Sequence, residues 1–151
     1  MPDPEIPAGA FDPPARPEGY DLPTFRAKEL GLNVDAEADI ALRQGLHAAG
    51  VDNWLASALY SVAVHEVTKD LTPASVQSDY LNSEMELRQR WGGETEKRVA
   101  MANAEARRVY DKLPASVTNG MSYREFMLVT GLANNRVAVE QLYLRAKARQ
   151  H

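Results

Sequence analysis

Residues 73–113 read PASVQSDYLNSEMELRQRWGGETEKRVAMANAEARRVYDKL, a long helix-forming run closed by Pro73 at one end and Pro114 beyond the other. Its second half carries Val99, Ala102, Ala106, Val109 and Leu113, at spacings of 3, 4, 3 and 4. That is the repeat of a helix–helix seam. Other positions of this half are filled by Glu94, Glu96, Lys97, Arg98, Glu105, Arg107, Arg108, Asp111 and Lys112. A narrow apolar stripe on a charged rod must be covered by another helix. An ordinary bundle helix meets that demand, and so does self-association through these five residues. Gly92-Gly93 interrupts the run, and a glycine pair weakens a helix by about 2 kcal/mol in sum. The run is therefore one kinked helix or two helices meeting at Trp91. Unbroken, its 41 residues would reach about 60 Å, longer than a compact domain of this size is wide.

Outward from this rod, helical signals dominate. Residues 53–67, NWLASALYSVAVHEV, form the most apolar stretch, with Asp52 placed to cap it. Leu55, Leu59 and Val62 make one stripe, Tyr60, Val64 and Val67 a second, so this helix is expected at the core. Before it, residues 34–49 form a helix capped by Asn33 or Asp35 and closed by Gly50, with Ile40, Leu42, Leu46 and Ala49 inward. Gly45 within it costs about 1 kcal/mol against alanine, so the helix is weak there or packs closely on something. Thr24–Leu30 reads as a short helix ended by Gly31. Thr72-Pro73 supplies a cap and a first-turn proline for the long run. Tyr80, Leu87 and Trp91 share one of its sides, with Leu81 and Met85 beside them. Past Asn119-Gly120, Ser122 and Glu125 form a capping box for a short helix whose apolar side is Phe126, Met127 and Val129, ended by Gly131. A last helix over about 135–149 buries Val139, Leu142, Tyr143 and Ala146 and carries Arg136, Arg145, Lys147 and Arg149 against Glu140 alone. The fold class is all-α: a helical domain over 24–151, preceded by an arm.

That arm, residues 1–23, holds seven of the nine prolines and five acids against the single base Arg16. Proline removes donors and fixes φ, which favours an extended, polyproline-like form. Ile6, Phe11, Tyr20 and Leu22 are its candidate anchors. It reads as a solvated tail, or as an arm ordered only when laid along a neighbouring subunit. The chain is thus acidic in front and basic at its end, in part because a helix C-terminus favours cations.

Bulk composition narrows the chemistry. With 44% apolar and 25% charged residues the chain is globular. No cysteine is present, which excludes disulfides and thiolate metal sites. No apolar run approaches the roughly 20 residues that span a bilayer, and the opening segment lacks the basic and apolar regions of a signal peptide. A net charge of −4 argues against nucleic-acid binding by the whole surface. His65-Glu66 lacks a second histidine four residues on, so His65 is expected to be structural. Phosphate-loop and nucleophile patterns are absent. No catalytic, cofactor or metal residues are expected, although many carboxylates keep a small lytic or nucleic-acid-processing enzyme open. A helical DNA-binding or regulatory protein using the basic last helix and Tyr143 is the other alternative.

Four stretches in order resemble the capsid-assembly, scaffolding-like proteins of tailed bacteriophages. They are Tyr20-Asp21-Leu22-Pro23 after an acidic proline-rich lead, and FRAKELGL over 25–32. Then come Leu87-Arg88 through Trp91-Gly92-Gly93-Glu94 with the alanine-rich helix behind, and Thr130-Gly131-Leu132-Ala133-Asn134 before the terminal helix. Together they cover about half the chain. The resemblance implies a non-catalytic head-assembly or virion protein, present in the host cytoplasm during assembly and then in the prohead or virion. It implies coat or portal binding through Arg136, Arg145, Lys147 and Arg149, with Phe11 and Tyr20 of the arm as further contacts. It also implies homo-oligomers formed through the long helix, with no membrane partner. Members of that group are usually much longer. A compact chain therefore suits a component retained in the particle as well as a transient scaffold.

Overall fold

A computed structural model describes residues 7, 9–23, 36–67, 72–118 and 120–149. The helix expected over Thr24–Leu30, the caps at Asn33 or Asp35, the anchor Ile6 and the side chain of His65 lie outside the described residues. The fold is all-α, and no strand occurs among the described residues. Six helices carry it: α1 (Ala36–Ala48), α2 (Asn53–Val67), α3 (Pro73–Trp91), α4 (Thr95–Tyr110), α5 (Tyr123–Thr130) and α6 (Arg136–Arg149). Short turns of helix at Pro17–Gly19, Gly92–Glu94, Ala115–Thr118 and Leu132–Asn134 join or precede them.

The caps sit where the local chemistry places them. The Thr72 hydroxyl accepts from the Ser75 N–H, the Ser75 hydroxyl accepts from the Thr72 N–H, and Pro73 opens α3. Each bond satisfies one of the four N–H groups a helix start leaves open. Ser122 does the same for α5, accepting from the Glu125 N–H, and Gly131 closes that helix. The long run breaks at its glycine pair. Gly92 adopts φ +55°, where side chains are strained, and a single 3-10 turn redirects the chain into α4. The rod is thus two helices joined by a bend.

The core lies between α4 and α6, which pack more extensively than any other pair of elements. Ala102, Ala106 and Val109 of α4 are buried there, facing a helix that buries Ala138, Val139, Leu142, Tyr143 and Leu144. The small residues of α4 let the two axes approach closely. The expected seam is therefore covered within one chain, by the terminal helix. Val99 and Leu113 are partly buried against the same core. The apolar helix α2 buries Leu55, Ala56 and Val64, but Leu59, Tyr60 and Val62 are only half-buried and Trp54 is 54% exposed. The centre of the fold is α6, not α2. Gly45 of α1 lies against the end of α4. A Cβ there would stand 3.0 Å from both the Leu113 side chain and the Lys112 carbonyl oxygen, so the glycine marks a close approach of backbones. Ile40, expected inward, is exposed.

Candidate interaction surface

The described residues of the acidic arm lie on the arm's own domain. The Tyr20 hydroxyl donates to the Val51 carbonyl at 2.6 Å, Arg43 donates to the Tyr20 carbonyl, and the Asp21 N–H donates to Asn53 at 2.7 Å. His47 Nε2 is 3.0 Å from the Pro14 carbonyl oxygen. Tyr20 and Leu22 are buried. Burial pushes the Tyr20 hydroxyl up to about 12, with the nearby Asp52 charge adding to it. Phe11 lies over the Arg145 guanidinium, its ring centroid 3.9 Å from Cζ. The described part of the strap thus needs no neighbouring subunit to be ordered, and the two arm residues expected to meet a partner, Phe11 and Tyr20, are engaged within the chain.

The basic residues of the last helix are engaged as well. Arg145 is 5% exposed, and its Nε and Nη2 donate to the two carboxylate oxygens of Asp52 at 3.1 and 3.0 Å, while Nη1 reaches the Gln141 side chain. Asp52 also accepts from the Leu55 N–H at 3.0 Å, the cap expected of it. Arg149 donates to Glu105 at 2.9 Å, and Arg108 holds the same carboxylate at 2.7 Å. Arg136 pairs with Glu86 and Glu140, and Arg90 with Glu140, tying α3 to α6. Lys147 is half-buried and lines, with Asp12, Arg145 and Arg149, the cleft into which the arm folds. Of the four bases expected to bind a partner, Arg145 is buried, and Arg136, Arg145 and Arg149 are ion-paired within the chain. The described arm meets the last helix at Phe11, over the Arg145 guanidinium, and Arg145 lies inside.

That cleft holds two buried carboxylates, Asp52 and Glu105. Burial pushes the Glu105 carboxyl up, but hydrogen bonds and charges from Arg108 and Arg149 outweigh it and hold its pKa below the usual glutamate value. A general acid needs the opposite shift. Among the described residues no group of three His, Asp or Glu side chains stands where it could hold a metal ion. No helix among them is long and apolar enough to cross a membrane.

Exposed large apolar side chains occur singly at Ile40, Trp54 and Val137 and in a group on α3 and α5. Tyr80, Leu81 and Met85 of α3 are 52, 52 and 55% exposed, and Leu128 and Val129 of α5 are exposed beside them. Tyr80, Leu128 and Val129 line an open groove with Pro73, Gln77 and Asn134. Val129 was expected on the buried side of α5, where Phe126 and Met127 do lie. Leu81 and Met85 stood in the sequence as neighbours of a buried stripe. Of Tyr80, Leu87 and Trp91 only Leu87 is fully buried; Leu87, Trp91 and the ion pairs of Glu86 and Arg90 hold the C-terminal half of α3 to the body. Comparison of the chain with protein-family models, with curated proteins and with solved structures found no match.

Proposed function

We propose that this chain is a head-assembly or virion structural protein of a tailed bacteriophage, working by binding and not by catalysis. Its partners on this reading are coat or portal protein and further copies of itself, met in the host cytoplasm and kept in the prohead or virion. The observation that carries the reading is the uncovered apolar surface of α3 and α5, on a domain whose ion pairs and core are otherwise closed within the chain. Clustered exposed apolar side chains of this size mark contact with another macromolecule. The ordered resemblance of the four stretches to phage assembly proteins supports the class of partner. Weak contacts of this kind become strong when repeated over a lattice.

The contact surface moves from the basic face of α6 to the groove of Tyr80, Leu128 and Val129. Ending the chain at Gly131 would remove Leu132, Ala138, Val139, Leu142, Tyr143 and Leu144 from the core, so loss of binding on that truncation would say nothing. The informative variant is Leu128→Glu/Val129→Glu, which changes two exposed side chains. On co-expression with the coat and portal proteins of the same phage, the wild-type chain should co-sediment with assembled particles and the variant should be lost from them. Absence of the wild-type chain from particles and from both purified partners would overturn the reading.

A further inference from the structure

The outward side of α3 has a pattern that the body of the protein leaves unused. Ser83 and Leu87 are buried toward the domain. Opposite them stand Ala74, Ser78, Leu81 and Met85, all exposed. At about 100° per residue, these four fall within about 60° of one another around the helix. Their spacing is 4, 3 and 4, which is the spacing of a two-helix seam. The same repeat on α4 is satisfied inside the chain. This one is not.

Side-chain size along the seam selects the partner. Two small residues, Ala74 and Ser78, occupy its N-terminal end, and two large ones, Leu81 and Met85, its C-terminal end. A parallel pairing would set small against small and large against large, leaving a gap at one end and crowding at the other. An antiparallel pairing with its two-fold axis between residues 79 and 80 sets Met85 against Ala74 of the second copy and Leu81 against Ser78. Both pairs are symmetric about that point, so one axis satisfies them together, as a closed two-fold interface requires. The flanks agree. In this register Glu84 lies beside the second copy's first helical turn and keeps its ion pair to Arg88 of its own helix. The flanks also carry the uncharged Gln77 and Asn82.

We propose that α3 is a homodimer interface, in which a second copy of this chain packs its own α3 antiparallel along Ala74, Ser78, Leu81 and Met85. This deepens the assembly reading by naming one partner. It uses a face of α3 adjacent to, but distinct from, the groove of Tyr80, Leu128 and Val129. The overlap spans about 17 Å of helix, a short interface by the standard of stable complexes. The dimer should therefore be weak, with a Kd on the order of 10 μM.

The test uses the purified full chain alone, so its outcome is independent of coat binding. Sedimentation equilibrium up to about 300 μM should show a monomer–dimer equilibrium. Leu81→Glu should abolish the dimer while leaving helical circular dichroism unchanged, since Leu81 is exposed in the monomer. The chain has no cysteine, so introduced thiols report register directly. Ala74→Cys/Met85→Cys should form a covalent dimer on mild oxidation. The two sites are about 16 Å apart along one helix, too far to bridge within a chain. Each single variant should stay uncrosslinked. A monomer at every concentration, a Leu81→Glu dimer as strong as wild type, or crosslinking by Ala74→Cys alone would each overturn the proposal.

Discussion

Asp52 does two things with one carboxylate: it caps α2 and it neutralises Arg145. Removing either member of the buried pair strands the other's charge, which costs about 3–5 kcal/mol. Arg145→Ala should lower unfolding free energy by that amount in urea titrations. Asp52→Asn/Arg145→Met should lose much less than the two single changes combined, because no charge is left behind. The capping role was readable from an aspartate just before an apolar helix. The ion pair was not, since residues 93 positions apart share no local pattern. Two other groups make stability depend on pH. The Glu105 pKa is depressed in the folded state. Its contribution is thus full above the unfolded glutamate value and is lost as pH falls through the folded one. Glu105→Gln should flatten the acid limb of a stability–pH curve. The Tyr20 hydroxyl, pushed up to about 12, has the reverse sign. Its contribution is intact below pH 10, the ordinary tyrosine value, and falls as pH rises between that value and the folded one. Tyr20→Phe should remove that alkaline loss.

Helix boundaries and caps followed from short-range chemistry, and so did the break at Gly92. There the two adjacent glycines separate cleanly. Gly92 has positive φ, so Gly92→Ala should destabilise by about 1–2 kcal/mol although nothing lies near its missing Cβ. Gly93 lacks both constraints, and Gly93→Ala should be neutral or stabilising by up to about 1 kcal/mol. In α1, Gly45→Ala would gain helix propensity but press on the Lys112 carbonyl and the Pro114 ring. Rigid neighbours should make the net change a loss of about 1 kcal/mol, visible as a lower Tm. Helix α6 shows where periodicity fails. Its stripe Val139, Leu142 and Tyr143 is buried as the spacing indicates, but Ala138, Leu144 and Arg145 are buried too. A count of bases on a helix says nothing about where their counter-charges lie, and here Asp52, Glu86 and Glu105 all come from elsewhere in the chain.

The all-α class was legible because helices announce themselves within a few residues. The docking of the arm was not, because a proline-rich segment has no period and its contacts reach Val51, Asn53 and Arg145 far along the chain. Burying Tyr20 and Leu22 is worth about 1.5–3 kcal/mol each before the entropy of ordering the arm is subtracted. Deleting residues 1–23 should therefore leave a folded domain weakened by about 2–4 kcal/mol, measurable by chemical denaturation. The uncovered strip on α3 lay in the sequence as Leu81 and Met85. Only the three-dimensional packing shows that nothing within the described residues covers it. Arg145, meanwhile, lies between Phe11 of the arm and the indole of Trp54, 5.2 Å away. The protein has two tryptophans, and the other, Trp91, packs tilted against Tyr143 at the bend between α3 and α4. With Trp91→Phe the remaining fluorophore sits beside the strap alone, so lifting of the strap becomes an optical signal that can be timed in a stopped-flow cell without attaching a dye.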